Sequence, residues 1–491
     1  MSRGALRRQC AARAGTRAVQ AAILCAALAP RAAHAAELAR SEDGSRSVEV
    51  SGFLKPYSAW LVLPQNLVDA TAELDRVFDE TRAILPPEYA AELPDDVTLP
   101  GQVGMSTLTG RLQGRALLFG AMELEAAWQA ALVLSSSSSI GAGSTQAGVL
   151  GTALVEPQRR LYDFEPWLVD EGALRVQHNL DRLLWRWQTP DFALTLGRQA
   201  LSWGTGRLWN PTDLLSPFSP TDVDREVRRG VDAARLSLPL HETTQMEILW
   251  LPQPTLEDQG FVVRVQTNLW QTDVSGSVAK YVDDLVLGAD LAGDLGPLGV
   301  HGEVAWTLPV VDLRLDEPDL QPGAARVEGD FVRAVAGLDW RPLEELVLGG
   351  EYYFNGFGAA DKEDIVSVLS SPRVVRGEVF GAGRHYAGLV ASWLADELLT
   401  VSASAVVNLT DPGVLLVPAL EYWVDQSVLL RAGGFVPMAE GVDVELFRRL
   451  GPADLITDSD AFARARRTLG ARSEHGLSPA GAFVQLGAYF Q

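Results

Sequence analysis

Cysteine is almost missing from this chain of 491 residues: Cys10 and Cys25 are the two it has, and both fall in an N-terminal stretch expected to be removed. The mature chain then has no disulfide, no thiolate nucleophile and no cysteine-ligated metal. Long apolar runs are also missing from the body, although 47% of residues are hydrophobic. That excludes a helical membrane protein. Positive charge is short as well. Lys plus Arg number 41 against 63 Asp plus Glu, for a net charge of −22, and a phosphate backbone repels such a chain, so a basic nucleic-acid binder is excluded. The six histidines are scattered, with no His-Glu-x-x-His, no Gly-x-Ser-x-Gly elbow and no phosphate loop, and no metal or other cofactor is expected. No blade-length repeat supports a propeller.

The chain does begin like a secretory signal. Arg3, Arg7, Arg8, Arg13 and Arg17 precede an apolar stretch from Ala18 to Ala29, and Ala33-His34-Ala35 forms a small-residue cleavage site. Residues 1–35 are therefore read as a signal peptide and 36–491 as the mature domain. An N-terminal membrane anchor competes with this reading but needs a longer run. Cys25 lacks the small residue expected before a lipidated cysteine.

The body is dominated by period two. Phe261, Val263 and Val265 oppose Arg264, Gln266 and Asn268; Val300, Val304, Trp306 and Leu308 oppose His301, Glu303 and Thr307; Leu399, Val401, Ala403, Ala405, Val407 and Leu409 oppose Thr400, Ser402, Ser404 and Asn408. Aromatics gather near the ends of the apolar face, as in a lipid-facing band with interfacial girdles. Segments of this kind cover 47–61, 104–117, 119–134, 171–187, 191–203, 229–240, 244–252, 260–270, 272–281, 284–293, 297–309, 328–340, 345–355, 383–394, 398–409, 414–424, 427–437 and 480–490, eighteen in all. Tight turns near 188–190, 241–243, 294–296, 341–344, 394–396 and 425–426 fall at one end, and every long connection at the other. The fold class is all-β: an antiparallel transmembrane barrel of about 18 strands with short periplasmic turns and long extracellular loops carrying short helices. A soluble sandwich is the competing architecture, and the face opposite the apolar one is too polar for a sandwich core.

The last segment places Ala482, Val484, Leu486, Ala488 and Phe490 on one face. It resembles the terminal strand that outer-membrane barrels present to their assembly machinery, although Gln491 follows the aromatic. Phe490 is thereby an expected assembly signal. A second resemblance lies in Gly197-Arg198-Gln199, Trp203-Gly204, Arg207-Leu208, Asn210-Pro211-Thr212-Asp213, Ser216-Pro217, Gly230-Val231-Asp232 and Glu351-Tyr352-Tyr353-Phe354-Asn355-Gly356. These are similar to the motifs of alginate-export-type barrels and their porin-like relatives. The resemblance implies an eighteen-stranded outer-membrane barrel, and it covers a small part of the chain.

Parity assigns Arg235, Arg264, Arg333 and Arg431 to the inward face with Glu247, Asp290, Glu303, Asp339, Glu351 and Glu421. They either line a pore or brace the wall as ion pairs. Mixed charge of this kind suits a weakly selective aqueous path better than a cationic duct for a polyanion. Segment 204–229 is too rich in Pro and Gly for a strand and carries Arg207, Asp213, Asp222, Asp224, Arg225, Arg228 and Arg229. It is either a solvated outer loop or a constriction folded into the lumen. Arg198 shares parity with Leu194 and Leu196. An unpaired Arg on the lipid face costs about 2–4 kcal/mol, so a bulge at Gly197 turning Arg198 inward is expected in preference to snorkelling at the rim. Gln199 and Trp203 complete the candidate motif.

Residues 64–98 place Leu67, Ala70, Leu74 and Phe78 at helical spacing, and a second helical patch interrupts 442–469. Ser135 to Ser139 read as flexible low complexity. The expected function is passive diffusion of small hydrophilic solutes, with mild cation preference that shrinks as salt rises. The alternatives are a polysaccharide-export barrel, a plugged structural or assembly barrel, and a barrel enzyme, for which His385 at the rim is the sole candidate. Expected partners are outer-membrane lipid and lipopolysaccharide, the assembly machinery and the solutes themselves.

Overall fold

The computed structural model describes residues 36–41, 43–136, 160–162, 167–171, 173–309 and 329–490. Residues 1–35, where a signal peptide and its cleavage site are expected, and Ser137 to Ser139 of the serine run lie outside the described residues. Twenty strands join in one antiparallel sheet, and eighteen of them close into a ring. We number these β1 (Ser47–Val62), β2 (Gln102–Leu118), β3 (Met122–Ser135), β4 (Leu174–Gln188), β5 (Ala193–Ala200), β6 (Gly230–His241), β7 (Thr244–Leu251), β8 (Gly260–Leu269) and β9 (Thr272–Tyr281). The ring continues with β10 (Asp284–Leu295), β11 (Leu298–Pro309), β12 (Phe331–Leu343), β13 (Leu346–Asn355), β14 (His385–Asp396), β15 (Leu399–Asn408), β16 (Gly413–Asp425), β17 (Val428–Met438) and β18 (Ala480–Phe490). Each strand pairs with its chain neighbour, and β18 pairs with both β17 and β1. Closure leaves the ring no edge, which is what a sheet surrounded by lipid requires. Two short strands stay outside it: Ala36–Arg40 pairs with β1 and Trp167–Glu171 with β4.

The period-two pattern becomes burial. On β11, His301, Glu303, Ala305 and Thr307 are buried inside while Val304 and Trp306 are exposed outside; on β7, Glu247, Leu249 and Leu251 alternate with exposed Ile248 and Trp250. Exposed leucines, valines and tryptophans of this kind form the outward belt that makes the barrel a transmembrane one. The fifth strand stops at Ala200, short of the expected 203, because Leu201 and Trp203 turn into the lumen and bury their side chains there.

Connections 119–121, 189–192, 242–243, 270–271, 296–297, 344–345, 397–398 and 426–427 share one end with both termini of the ring. All long connections lie at the other end, together with two short ones at 282–283 and 409–412. Helix α1 (Gln65–Arg82), α2 (Pro87–Ala90), α3 (Ile365–Leu369), α4 (Pro372–Val375), α5 (Val444–Arg448), α6 (Pro452–Ile456) and α7 (Asp460–Thr468) all belong to these long connections. Leu67, Ala70 and Val77 of α1, with the partly buried Leu74, pack with Val442, Phe447, Leu450, Phe462 and Ala465, so the first and last long loops share one small apolar core over the barrel mouth. No helix among the described residues is long and apolar enough to cross a membrane.

Candidate functional site

The connection from β5 to β6, residues 201–229, crosses the inside of the barrel. It enters on apolar contacts: Leu201, Trp203, Leu214 and Leu215 pack against the inner faces of β6 to β11 through Val231, Ala233, Leu249, Leu251, Val262, Ala279, Val286 and Ala305. The inner wall here is far less polar than parity counting of charges implies. Trp203 also donates its indole N–H to Glu247 at 3.3 Å, and Glu247 is ion-paired with Arg235.

The next turn of the loop is captured by two wall carboxylates. Glu303 on β11 accepts the backbone N–H of Thr205, of Gly206 at 2.8 Å and of Thr212 at 3.2 Å, and the Thr212 hydroxyl at 2.8 Å. Glu351 on β13 accepts the N–H of Arg207, of Leu208 at 3.1 Å and of Trp209 at 3.3 Å. His301 Nε2 lies 2.9 Å from the same carboxylate. The Arg207 guanidinium binds Asp339 on β12. Consecutive N–H groups converging on an anion make a nest, and here the anion is a side chain of the barrel itself.

Across the lumen the polarity reverses. Asp224 and Glu226 accept from the ammonium of Lys55 on β1 at 2.8 and 2.7 Å. Asp224 also accepts from Gln485 at 3.0 Å, and Glu226 meets Tyr489 at 2.9 Å and Arg431 at 3.4 Å. Lys55 itself is buried and lies 4.4 Å over the Phe53 ring. Between the two attachments Arg225 donates to the carbonyls of Arg207 at 2.8 Å, Ser219 at 3.1 Å and Pro220 at 2.9 Å. Arg228 pairs with Asp213, donates to the Ser216 carbonyl at 2.8 Å and covers Phe218 at 4.6 Å. Arg229 is half-buried at the foot of the loop, and Asp222 accepts the Ser219 N–H at 2.8 Å.

Burial shifts the loop carboxyls. Asp213 is pushed up to about 6 by desolvation, which the Arg228 charge only partly opposes. Burial also pushes Asp224 up, but Lys55, together with the Glu226 N–H and Arg431, more than offsets it and leaves that carboxyl below its ordinary range.

All ten charges assigned inward by parity point to the interior, yet few of them face open lumen. Glu303, Glu351, Asp339 and Arg431 hold the loop, as above. Arg264 and Asp290 meet at 3.3 Å with Ser275 between them, and Glu421 pairs with Arg431 at 2.7 Å. Arg333 is sealed beneath the β13–β14 connection, donating to the Glu378 carbonyl, and lines no open lumen. Gln199 is buried and donates to the Ala233 carbonyl at 3.1 Å.

Arg198 departs from its expectation. The register of β5 against β4 and β6 runs unbroken, so no bulge forms at Gly197, although that residue takes φ +112°. Arg198 keeps the outward parity of Leu196 without snorkelling. It is 3% exposed and donates to Asp232 at 2.7 and 3.0 Å, to the Leu180 carbonyl at 2.9 Å and to the Tyr162 carbonyl at 2.7 Å. A paired carboxylate on the next strand removes the cost that made an outward arginine look prohibitive.

Lys55, His301 and Glu226 carry the attachment without having been singled out as site residues in the sequence, whereas Asp224 stands there among the charges of 204–229. Lys55 shares parity with Tyr57, Ala59 and Leu61, which are buried inside, and those apolar neighbours hide the polarity of its face. Phe490 lies on the outward face across from Gly52 of β1. His385 Nδ1 meets the Tyr352 hydroxyl at 2.7 Å.

No family model matches the chain, and no curated protein matches it in sequence. Among solved structures, it is similar to OccK9 (OpdG) of Pseudomonas aeruginosa at 13% identity, covering 90% of this chain and 98% of that one, with a TM-score of 0.48. It is also similar to OccAB1 of Acinetobacter baumannii at 8% identity, covering 94% and 99%, with a TM-score of 0.46. The outer membrane protein OpdK of Pseudomonas aeruginosa matches at 8% identity, over 90% and 97%, with a TM-score of 0.44. The fold itself rests on the strand pairing described above.

Proposed function

We propose that the protein is an outer-membrane channel through which small hydrophilic solutes diffuse passively, and that loop 201–229 sets its narrowest section. One observation carries the reading. Within a closed eighteen-strand ring bearing an apolar outer belt, a charged loop is fastened to opposite walls, by Glu303 and Glu351 on one side and Lys55 on the other. A ring of this size encloses a wide interior, and a loop tied across it divides and polarises that interior. The chemistry is positional: each buried carboxylate faces a donor, so the loop's place is specified rather than merely tolerated.

The same pairing does not favour a polyanion duct. Arg207, Arg228, Arg235, Arg264 and Arg431 are each engaged by a carboxylate, so the reading keeps the porin-like barrel and drops the alginate-export comparison. With the outer loops acidic, mild cation preference is expected, weakening within a Debye length of about 10 Å at 0.1 M salt. Lipopolysaccharide around the belt and the assembly machinery acting on β18 are the partners this reading implies.

Single-channel recording of refolded protein in planar bilayers tests it. Ohmic, solute-permeable openings with modest cation selectivity are expected. A barrel that inserts but never conducts would instead make loop 201–229 a plug.

A further inference from the structure

The wall of the barrel is interrupted on one side. Strands β4 and β5 pair only from Leu183 opposite Arg198 down to Gln188 opposite Ala193, and above that β4 pairs with the short strand Trp167–Glu171. Between these two pairings the ladder toward β5 lapses, and Asp181 is the extra residue in a break of register against β3. Exposed backbone at this depth is intolerable in hydrocarbon. Here side chains take it over. The Leu180 carbonyl accepts from Arg198 at 2.9 Å, the Asp181 carbonyl accepts from Arg182 at 2.8 Å, and the Gly230 N–H donates to the Asp181 carboxylate at 3.0 Å.

Outside this gap the barrel surface carries a notch of about 320 Å³. Its walls include Leu183, Leu196, Ala234 and Trp250 of the barrel and Leu161 and Tyr162 of the β3–β4 connection, and its floor is the Arg198–Asp232 pair. Three of these residues are also part of the outward belt, Leu183 being 53% exposed, Trp250 43% and Leu196 40%. Gly197 keeps the wall thin, since a Cβ there would stand 2.2 Å from the Leu183 carbonyl oxygen. Strands β5 and β7, at 8 residues each, are the shortest in the ring, whereas β1 to β4 run to 14 or more. The notch therefore sits where the wall is lowest, toward the loop end.

We propose that this notch is a lipid site that takes an acyl chain of a membrane lipid from the leaflet on the loop side. The inference rests on the outer-membrane reading above. The occupant follows from position and lining. A notch on the outward belt with an almost wholly apolar lining offers water few partners, whereas a methylene chain gains contact along that lining. The guanidinium and carboxylate on the floor already satisfy each other, so no charged group is drawn in.

The mature chain has no cysteine, which allows a single-label test. Ala234→Cys in the notch and Ala405→Cys on the outward face of β15 are each labelled with bimane. The proteins are reconstituted in phosphatidylcholine vesicles containing increasing brominated-chain phosphatidylcholine. Quenching at position 234 is expected to saturate at a mole fraction at least about twofold lower than at 405, and Leu196→Trp, which fills the notch, is expected to abolish the difference; Leu183→Trp serves where that variant does not show heat-modifiable folding. Parallel quenching at both positions overturns the lipid site while leaving the membrane barrel standing. Quenching of both by aqueous iodide and of neither by brominated chains overturns the membrane reading itself.

Discussion

The indole of Trp209 stacks on the ring of Tyr353, with centroids 5.2 Å and planes 16° apart, while its backbone N–H donates to Glu351 two residues earlier on the same strand. Tyr386 on β14 closes the arrangement at 5.9 Å, and Leu208, Val335 and Val406 complete a buried cluster. A loop residue is thus clasped by the inner wall through both its backbone and its ring.

Trp209→Ala is expected to loosen the loop without unfolding the ring. Loss of a stacked aromatic pair costs about 0.5–1.5 kcal/mol beyond the buried area itself. Single-channel recordings should show a higher or noisier conductance, with heat-modifiable mobility unchanged. Conductance identical to wild type would show that this contact does not position the constriction.

Lys55→Met leaves Asp224 and Glu226 without their shared cation. Removing one partner of a buried pair costs about 3–5 kcal/mol, and this case belongs at or below the low end because both carboxylates are partly exposed. Increased cation selectivity and flickering are expected. The triple variant that also carries Asp224→Asn and Glu226→Gln should regain much of the stability in urea titration. If the triple variant is no more stable than the single one, the cost does not come from stranded charge.

Asp213 links loop 201–229 to pH. Its carboxyl ionises at about 6 in the folded protein, against 3.8 ordinarily, so the folded state binds the proton more tightly and ionisation opposes folding of the loop. Stability contributed by the protonated form is therefore lost as pH rises through about 6 and gained as it falls towards 4. Neutral Asp213 also leaves the Arg228 charge unopposed. Reversal potentials in a KCl gradient should shift toward anions between about pH 7.5 and 5, and Asp213→Asn should reduce that shift, the remainder belonging to Asp222, whose carboxyl burial likewise pushes up to about 6. A shift of full size in the variant would place the titrating group elsewhere.

Phe490 covers Gly52. A Cβ on Gly52 would stand 2.4 Å from the Phe490 ring and 2.2 Å from the Arg111 carbonyl oxygen, so the seam between the first and last strands has room for glycine alone. Both Phe490→Ala and Gly52→Val should lower the amount of inserted, heat-modifiable barrel in the outer membrane, the first by opening the seam and the second by blocking it. Normal levels of both would remove Phe490 from the closure step.

A protease site inserted at Ala463, in α7 of the last long loop, should be cut on whole cells, whereas one at Gly296, in a short turn, should be protected. The opposite pattern would invert the barrel.

Alternation made the strands legible because a wall one residue thick, with lipid on one side and polar interior on the other, imposes period two on every segment. Val300 to Leu308 and Leu399 to Leu409 carry that signal by themselves, and short turns separated from long loops gave the topology. The site was legible only as a composition: parity put Glu303, Glu351 and Arg431 inside, and the crowd of charges between 204 and 229 marked the loop. Nothing in those residues says which charge meets which. Arg198 shows the limit most clearly, since its outward parity was plain in sequence, but the Asp232 that makes it tolerable lies 34 residues away on the next strand.

The sequence by itself determined the number of strands in the ring, the face that most of their side chains take and the end at which the long loops lie. Local periodicity and turn chemistry suffice for those, because each depends on neighbours along one strand. Only the tertiary structure decided that loop 201–229 lies within the barrel, because that choice depends on side chains brought together by ring closure. Lys55 on β1, and Glu303 and Glu351 on β11 and β13, become opposite walls of one interior only when β18 returns to pair with β1. A loop rich in both charge signs suits water and such an interior equally until those partners are in place.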